Sequence, residues 1–107
     1  MKEFNEEYIE RLHDLISQQD EQRAKDMLAD LHPADIAEIV SDLDTEDALF
    51  LLKQLSDEQA ADVLIELDED QRQDLLDQMT NESIAKKVEQ MNADDAVDVI
   101  QQLDEED

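Results

Sequence analysis

The 107-residue chain contains no glycine, no cysteine, no tryptophan and one proline. A phosphate-cradling loop, a dinucleotide fingerprint and a calcium-binding EF-hand loop all need glycine for a tight turn or a close backbone approach, so nucleotide chemistry is not expected. Without cysteine there is no disulfide framework, no thiolate nucleophile and no zinc finger, and a reducing cytosol is the simplest setting. Basic residues are scarce: 8 Lys plus Arg stand against 33 Asp plus Glu, a formal net charge of −25. DNA or RNA would meet a polyanion of like sign, and two Phe and one Tyr offer little for bases to stack on, so no nucleic-acid partner is expected. Long apolar runs are missing too. The N-terminus lacks a signal stretch and no segment approaches the roughly 20 apolar residues of a membrane span, so this chain is not expected to insert into a bilayer. The hydrophobic content, 40%, is nonetheless enough to give one small domain a core rather than a disordered acidic tail. The charge surplus points to cations and basic surfaces as partners.

Apolar residues recur every twelve positions without a gap. Leu31, Leu43, Leu55, Leu67, Met79, Met91 and Leu103 define position one. Position ten is Val40, Leu52, Leu64, Leu76, Val88 and Ile100, and position nine is Ile39, Leu51, Val63, Leu75, Lys87 and Val99. Position six is Ile36, Ala48, Ala60, Arg72, Ile84 and Ala96. Apart from Lys87 and Arg72 this is the i, i+3, i+4, i+7 spacing of an amphipathic helix, and nothing indicates strands. Asp20, Ala24, Met27 and Leu28 extend the pattern backwards, and a longer helix over about 3–18 precedes it with Phe4, Tyr8, Ile9, Leu12, Leu15 and Ile16 on one side.

One continuous coiled coil is ruled out by geometry. Twelve residues advance about 1200°, three turns plus about 120°, so a single helix would swing its apolar stripe a third of the way round with each copy. The helix must break once per repeat. Position two shows where, because Asp20, His32, Asp44, Ser56, Asp68, Thr80, Asn92 and Asp104 are nearly all residues that cap a helix N-terminus. Pro33 follows at the first helical position, where its missing N–H costs nothing. Residues three beyond the cap, such as Asp35, Gln59 and Gln71, suit a capping box or the helix dipole. The expected fold is therefore all-α: short helices of about nine or ten residues, each about 15 Å long, stacked into a superhelix. The segment from Asp104 to Asp107 reads as the cap and first turn of a further copy, so the chain is expected to continue beyond residue 107.

Positions four, eight and eleven face away from the apolar stripe. Three copies place carboxylates at both four and eight: Glu58 with Asp62, Asp70 with Asp74, and Asp94 with Asp98. Such like-charge i,i+4 pairs each destabilise a helix by about 0.2–0.5 kcal/mol. Two outward carboxylates one turn apart can share a hydrated divalent cation, and an all-oxygen donor set suits magnesium or calcium. An acidic helix face is also ordinarily just a solvated face. The densest cluster is Asp94, Asp95 and Asp98, with no Lys or Arg from Val88 onward, although Asp95 also sits where a residue helps cap its helix. His13 and His32 lie far apart in sequence, and His32 precedes Pro33 in a structural cap position. Phe50 occupies an outward position eight and is expected to pack on a neighbouring helix, while Lys86 and Lys87 are expected to balance local charge.

The runs Leu31-His32-Pro33-Ala34-Asp35-Ile36-Ala37-Glu38, Ala60-Ala61-Asp62-Val63-Leu64 and Asp94-Asp95-Ala96-Val97-Asp98 resemble the N-terminal cytosolic domain of MgtE magnesium transporters. The resemblance covers essentially the whole chain. It implies a right-handed superhelix of short helices, one acidic N domain over 1–107, followed in a longer protein by CBS domains and a transmembrane pore in a homodimer at the cytoplasmic face of the membrane. It also implies a mechanism in which Mg2+ trapped between this domain and the CBS domains holds the pore closed, and carboxylate repulsion opens it when magnesium falls. By motif, Asp94 and Asp98 are the leading ligand candidates, with Asp62 in the matching slot of an earlier copy, then Asp95 and Glu58. Arg72 and Gln73 depart from the apolar pattern and put the packing of their copy in question.

The resulting expectation is a regulatory magnesium-sensing domain without catalytic activity. The alternative is an acidic α-solenoid that docks a basic protein surface, as a flagellar switch protein of the FliG type would. A carboxylate-metal hydrolase is poorly supported, because the pairs face outward and no nucleophile or general-base histidine accompanies them.

Overall fold

The computed structural model describes the backbone of residues 6–29 and 31–105 and the side chains of 10–29 and 31–103. Eight helices follow one another among the described residues, with no strand: α1 Glu6–Ser17, α2 Glu21–Leu28, α3 Pro33–Ser41, α4 Thr45–Lys53, α5 Asp57–Glu66, α6 Glu69–Gln78, α7 Asn81–Val88 and α8 Ala93–Glu105. The long first helix is present as α1; Phe4 and the start of the expected segment lie outside the described residues, as do the side chains of Tyr8 and Ile9.

Each break falls where the twelve-residue period requires it. Asp20 accepts from the Arg23 N–H, Asp44 from Asp47, Ser56 from Gln59, Asp68 from Gln71, Thr80 from Ser83 and Asn92 from Asp95, at 2.8–3.2 Å. Each such cap contributes about 1 kcal/mol. At Ser56 the box closes, since the Gln59 side chain accepts from the Ser56 N–H at 3.2 Å, and Asp35 does the same for the His32 N–H at 3.4 Å. The helices also stop without glycine. Asp42, Gln54 and Glu89 end theirs in ordinary right-handed geometry, and Leu67 and Met79 leave in extended geometry. Among the described residues the left-handed region is entered only by Gln19, at φ 53°. Gln19 N–H donates to the Ile16 carbonyl and Asp20 N–H to the Leu15 carbonyl, at 3.0 and 2.9 Å, a Schellman closure of α1.

Helices of 8–13 residues are marginal alone in water, so packing must hold them. From α3 onward the helices of the repeat pack on the one two places along, α3 on α5 and α5 on α7, α4 on α6 and α6 on α8, and α3 also packs on α4. α1 packs on α2 and also on α4. The stripe residues Leu12, Leu28, Ile36, Ile39, Leu51, Val63 and Leu64 are fully buried in one core. Leu76, Ile84 and Val99 form a smaller second cluster toward the C-terminal end, bridged to the first through Met79 and Met91. Phe50 is half-buried against the main core, so its outward position packs on neighbouring helices. The stack has a radius of gyration of 13.6 Å, close to the roughly 13 Å of a globular domain this long.

One boundary differs from expectation. α8 runs on to Glu105, through Leu103 and Asp104, where earlier copies turn.

Replacing Gln19 by Gly removes the Cβ conflict of a left-handed residue. Gln19→Gly is expected to raise stability by about 0.5 kcal/mol in urea unfolding, whereas Gln19→Val lowers it. Leu64→Ala, in the centre of the core, is expected to cost about 2–5 kcal/mol.

Candidate functional site

The carboxylates expected to bind an ion stand on two helices. Glu58 and Asp62 occupy the first two turns of α5, and Asp94 and Asp98 the first two turns of α8; all four are exposed, and Asp95 is half-buried. The Asp95 N–H is held by the Asn92 side chain at 3.0 Å, so its backbone is part of the α8 cap. Asp70 and Asp74, the third i,i+4 pair, are exposed on α6. Helix periodicity thus brings together the members of each pair. Among the described residues no group of three or more His, Asp or Glu side chains is arranged to hold a metal ion. What each pair offers is two carboxylates facing solvent, enough for a partial, hydrated coordination shell.

Asp98 differs from Asp62 in its neighbours. It lines a shallow polar pocket of about 250 Å³ with Glu69, Arg72, Gln101 and Gln102, where α6 meets α8. Arg72 is the residue that broke the apolar rule at position six. Its Nε donates to Gln102 Oε1 at 2.7 Å, and its Nη1 donates to the Leu64 carbonyl at 3.3 Å, near the C-terminus of α5. Gln102 is itself buried and donates through Nε2 to the Glu69 carbonyl at 2.8 Å. A guanidinium satisfying a helix-end carbonyl is favoured by both the hydrogen bond and the helix dipole. The copy containing Arg72 and Gln73 is therefore intact, pinned by polar contacts where the others use apolar ones.

Lys87, the exception at position nine, behaves similarly. Its side chain is only 13% exposed, and its Nζ donates to Asp57 Oδ1 at 3.0 Å and Ser83 Oγ at 3.2 Å. It joins α7 to α5, which corrects the expectation that it merely balances surface charge. Lys86 does pair locally, with Glu82 one turn away at 3.7 Å, an exposed contact of little energetic weight. The sequence signal for both pins was present in the breaks of the apolar pattern; their partners Gln102 and Asp57 carried no signal, since polar residues are ordinary at those positions.

Comparison with known families decides the relationship. A sequence model of the MgtE intracellular N domain matches residues 31–107. The chain belongs to the MgtE N-domain family. No curated protein matches the chain. The MgtE family is one of magnesium transporters rather than enzymes, and its N domain is the intracellular part. No helix among the described residues of this MgtE N domain is long and apolar enough to cross a membrane.

The Arg72 pin is testable. Arg72→Met leaves Gln102 Oε1 and the Leu64 carbonyl without this donor and is expected to cost about 1–3 kcal/mol. In the Arg72→Met, Gln102→Leu double variant part of that loss returns, because the buried amide that lost its partner is gone; the urea midpoints of the two variants measure it.

Proposed function

We propose that this MgtE N domain is a magnesium sensor whose exposed carboxylates supply half of each ion site. Glu58 and Asp62 on α5, and Asp94, Asp98 and Asp95 on α8, contribute oxygen ligands, and a second acidic surface contributes the rest. The CBS domains of the same transporter are that surface, within a homodimer at the cytoplasmic face of the membrane. The observation supporting this reading most is that the acidic pairs are outward and incomplete. They repel one another on one helix, and at a net charge of −25 they repel any second acidic surface equally. A divalent ion that binds the apposed arrangement far more tightly than either surface by itself removes this repulsion. At ten times its dissociation constant it favours that arrangement by about 1.4 kcal/mol per site, so several weak sites together close a pore that one cannot. Magnesium fits because it keeps several waters and accepts one or two carboxylates.

The test is an NMR titration with MgCl2 against NaCl at matched ionic strength. Saturable shifts at the amides of Asp62, Asp94, Asp95 and Asp98 are expected, those at Asp94, Asp95 and Asp98 being lost in the Asp94→Asn, Asp98→Asn variant. Small shifts spread over the whole acidic surface and reproduced by sodium would sink the proposal. Without magnesium and at low salt, Asp62→Asn, which lies beyond the first turn of α5, is expected to be more stable than the parent by about 0.2–0.5 kcal/mol, because its like-charge contact with Glu58 is gone.

A further inference from the structure

Position one of the repeat is Leu at 31, 43, 55, 67 and 103 and Met at 79 and 91. The two methionines are consecutive: Met79 lies in the turn between α6 and α7, and Met91 in the turn between α7 and α8. Among the described residues they are also the two side chains packed against both apolar clusters, the main core and the smaller group of Leu76, Ile84 and Val99. Met27, the other methionine described, packs on the main core. The apolar link between the clusters is therefore a pair of thioethers, one at each end of α7. Both are partly buried, and Met79 lines a surface cavity of about 370 Å³ with Leu49, Leu52 and Leu55, which gives a molecule little larger than water a path to this side chain.

We infer that Met79 and Met91 form a paired oxidation site that controls how firmly α7 and α8 are held to the main core. Hydrogen peroxide transfers one oxygen atom to each sulfur. The sulfur lone pair attacks the peroxide, the O–O bond breaks, the sulfur is oxidised by two electrons and water leaves. The resulting sulfoxide is polar and accepts hydrogen bonds, where the thioether was apolar and adaptable. Burying such a group between apolar clusters is unfavourable, so the side chain turns toward water and the link weakens. The contacts of Lys87 with Asp57 and of Arg72 with Gln102 are untouched by this chemistry and keep the loosened helices attached. A methionine sulfoxide reductase supplied with a dithiol reverses the step, the dithiol becoming a disulfide and the oxygen leaving as water. Leucine, at the same position of the other copies, offers no such handle. Asp94, Asp95 and Asp98 ride on the loosened α8, but the inference does not depend on their binding an ion.

The test exposes the chain to hydrogen peroxide with free methionine in the same solution as a reference. Peptide mass spectrometry locates the added oxygen, and amide hydrogen exchange reads the helices. Met79 and Met91 are expected to become sulfoxides, and the protection of α7 and α8 amides to fall at least about tenfold, equivalent to about 1.4 kcal/mol. Sulfoxide reductase with dithiothreitol is expected to restore it. The Met79→Leu, Met91→Leu variant, which uses the residue of the other copies, is expected to keep its protection under peroxide although Met1 and Met27 remain. Met27→Leu is expected to respond as the parent does. Sulfoxides at Met79 and Met91 without loss of protection, or no sulfoxide there once the free methionine is consumed, overturns the inference. So does a loss that persists in the double variant or disappears in Met27→Leu.

Discussion

A repeat of twelve residues does not fit an α-helix of 3.6 residues per turn, and the rest of the fold follows from that mismatch. An uninterrupted helix would carry its apolar stripe about 120° round with every copy and bury none of it continuously. Breaking the helix at position two of each copy resets the stripe, and a cap side chain at every break from Asp44 to Asn92 satisfies the N–H three residues on. Because the chain leaves each helix in right-handed or extended geometry, the turns need no left-handed residue. A protein without glycine can therefore turn this often. Gln19, at the one left-handed position described, lies before the continuous run of copies begins.

Short capped helices then depend on neighbours, and from α3 onward each packs on the helix two places along, α3 and α4 also packing on one another. Two rows result, joined where position-six, -seven, -nine and -ten residues meet. Apolar contacts suffice through α5. Toward the C-terminal end two of the eight basic residues replace apolar side chains, Arg72 between α6 and α8 and Lys87 between α7 and α5. Both are satisfied, so they pin geometry that apolar contact alone leaves free to slide. Their use inside the joints also withdraws positive charge from a surface already strongly negative.

That surface is where the family relationship and the geometry meet. Residues 31–107 match the MgtE intracellular N domain, and the chain carries a net charge of −25 that solubility alone does not require. The repeat spaces carboxylates one helical turn apart on α5, α6 and α8 and keeps them facing water. Each pair presents two like charges to solvent with no cation between them among the described residues.

Much of this was legible in the amino-acid order. Helix type, the positions of the breaks, most of the core and the outward direction of Glu58, Asp62, Asp94 and Asp98 are consequences of periodicity, and periodicity is local. The half-burial of Arg72 and Lys87 and the placement of Asp98 beside Arg72 were decided by contacts between residues some thirty positions apart. A basic residue in an apolar stripe announces a conflict, and only the neighbouring helix, by presenting a carboxylate or an amide at hydrogen-bonding distance, determines how it is resolved.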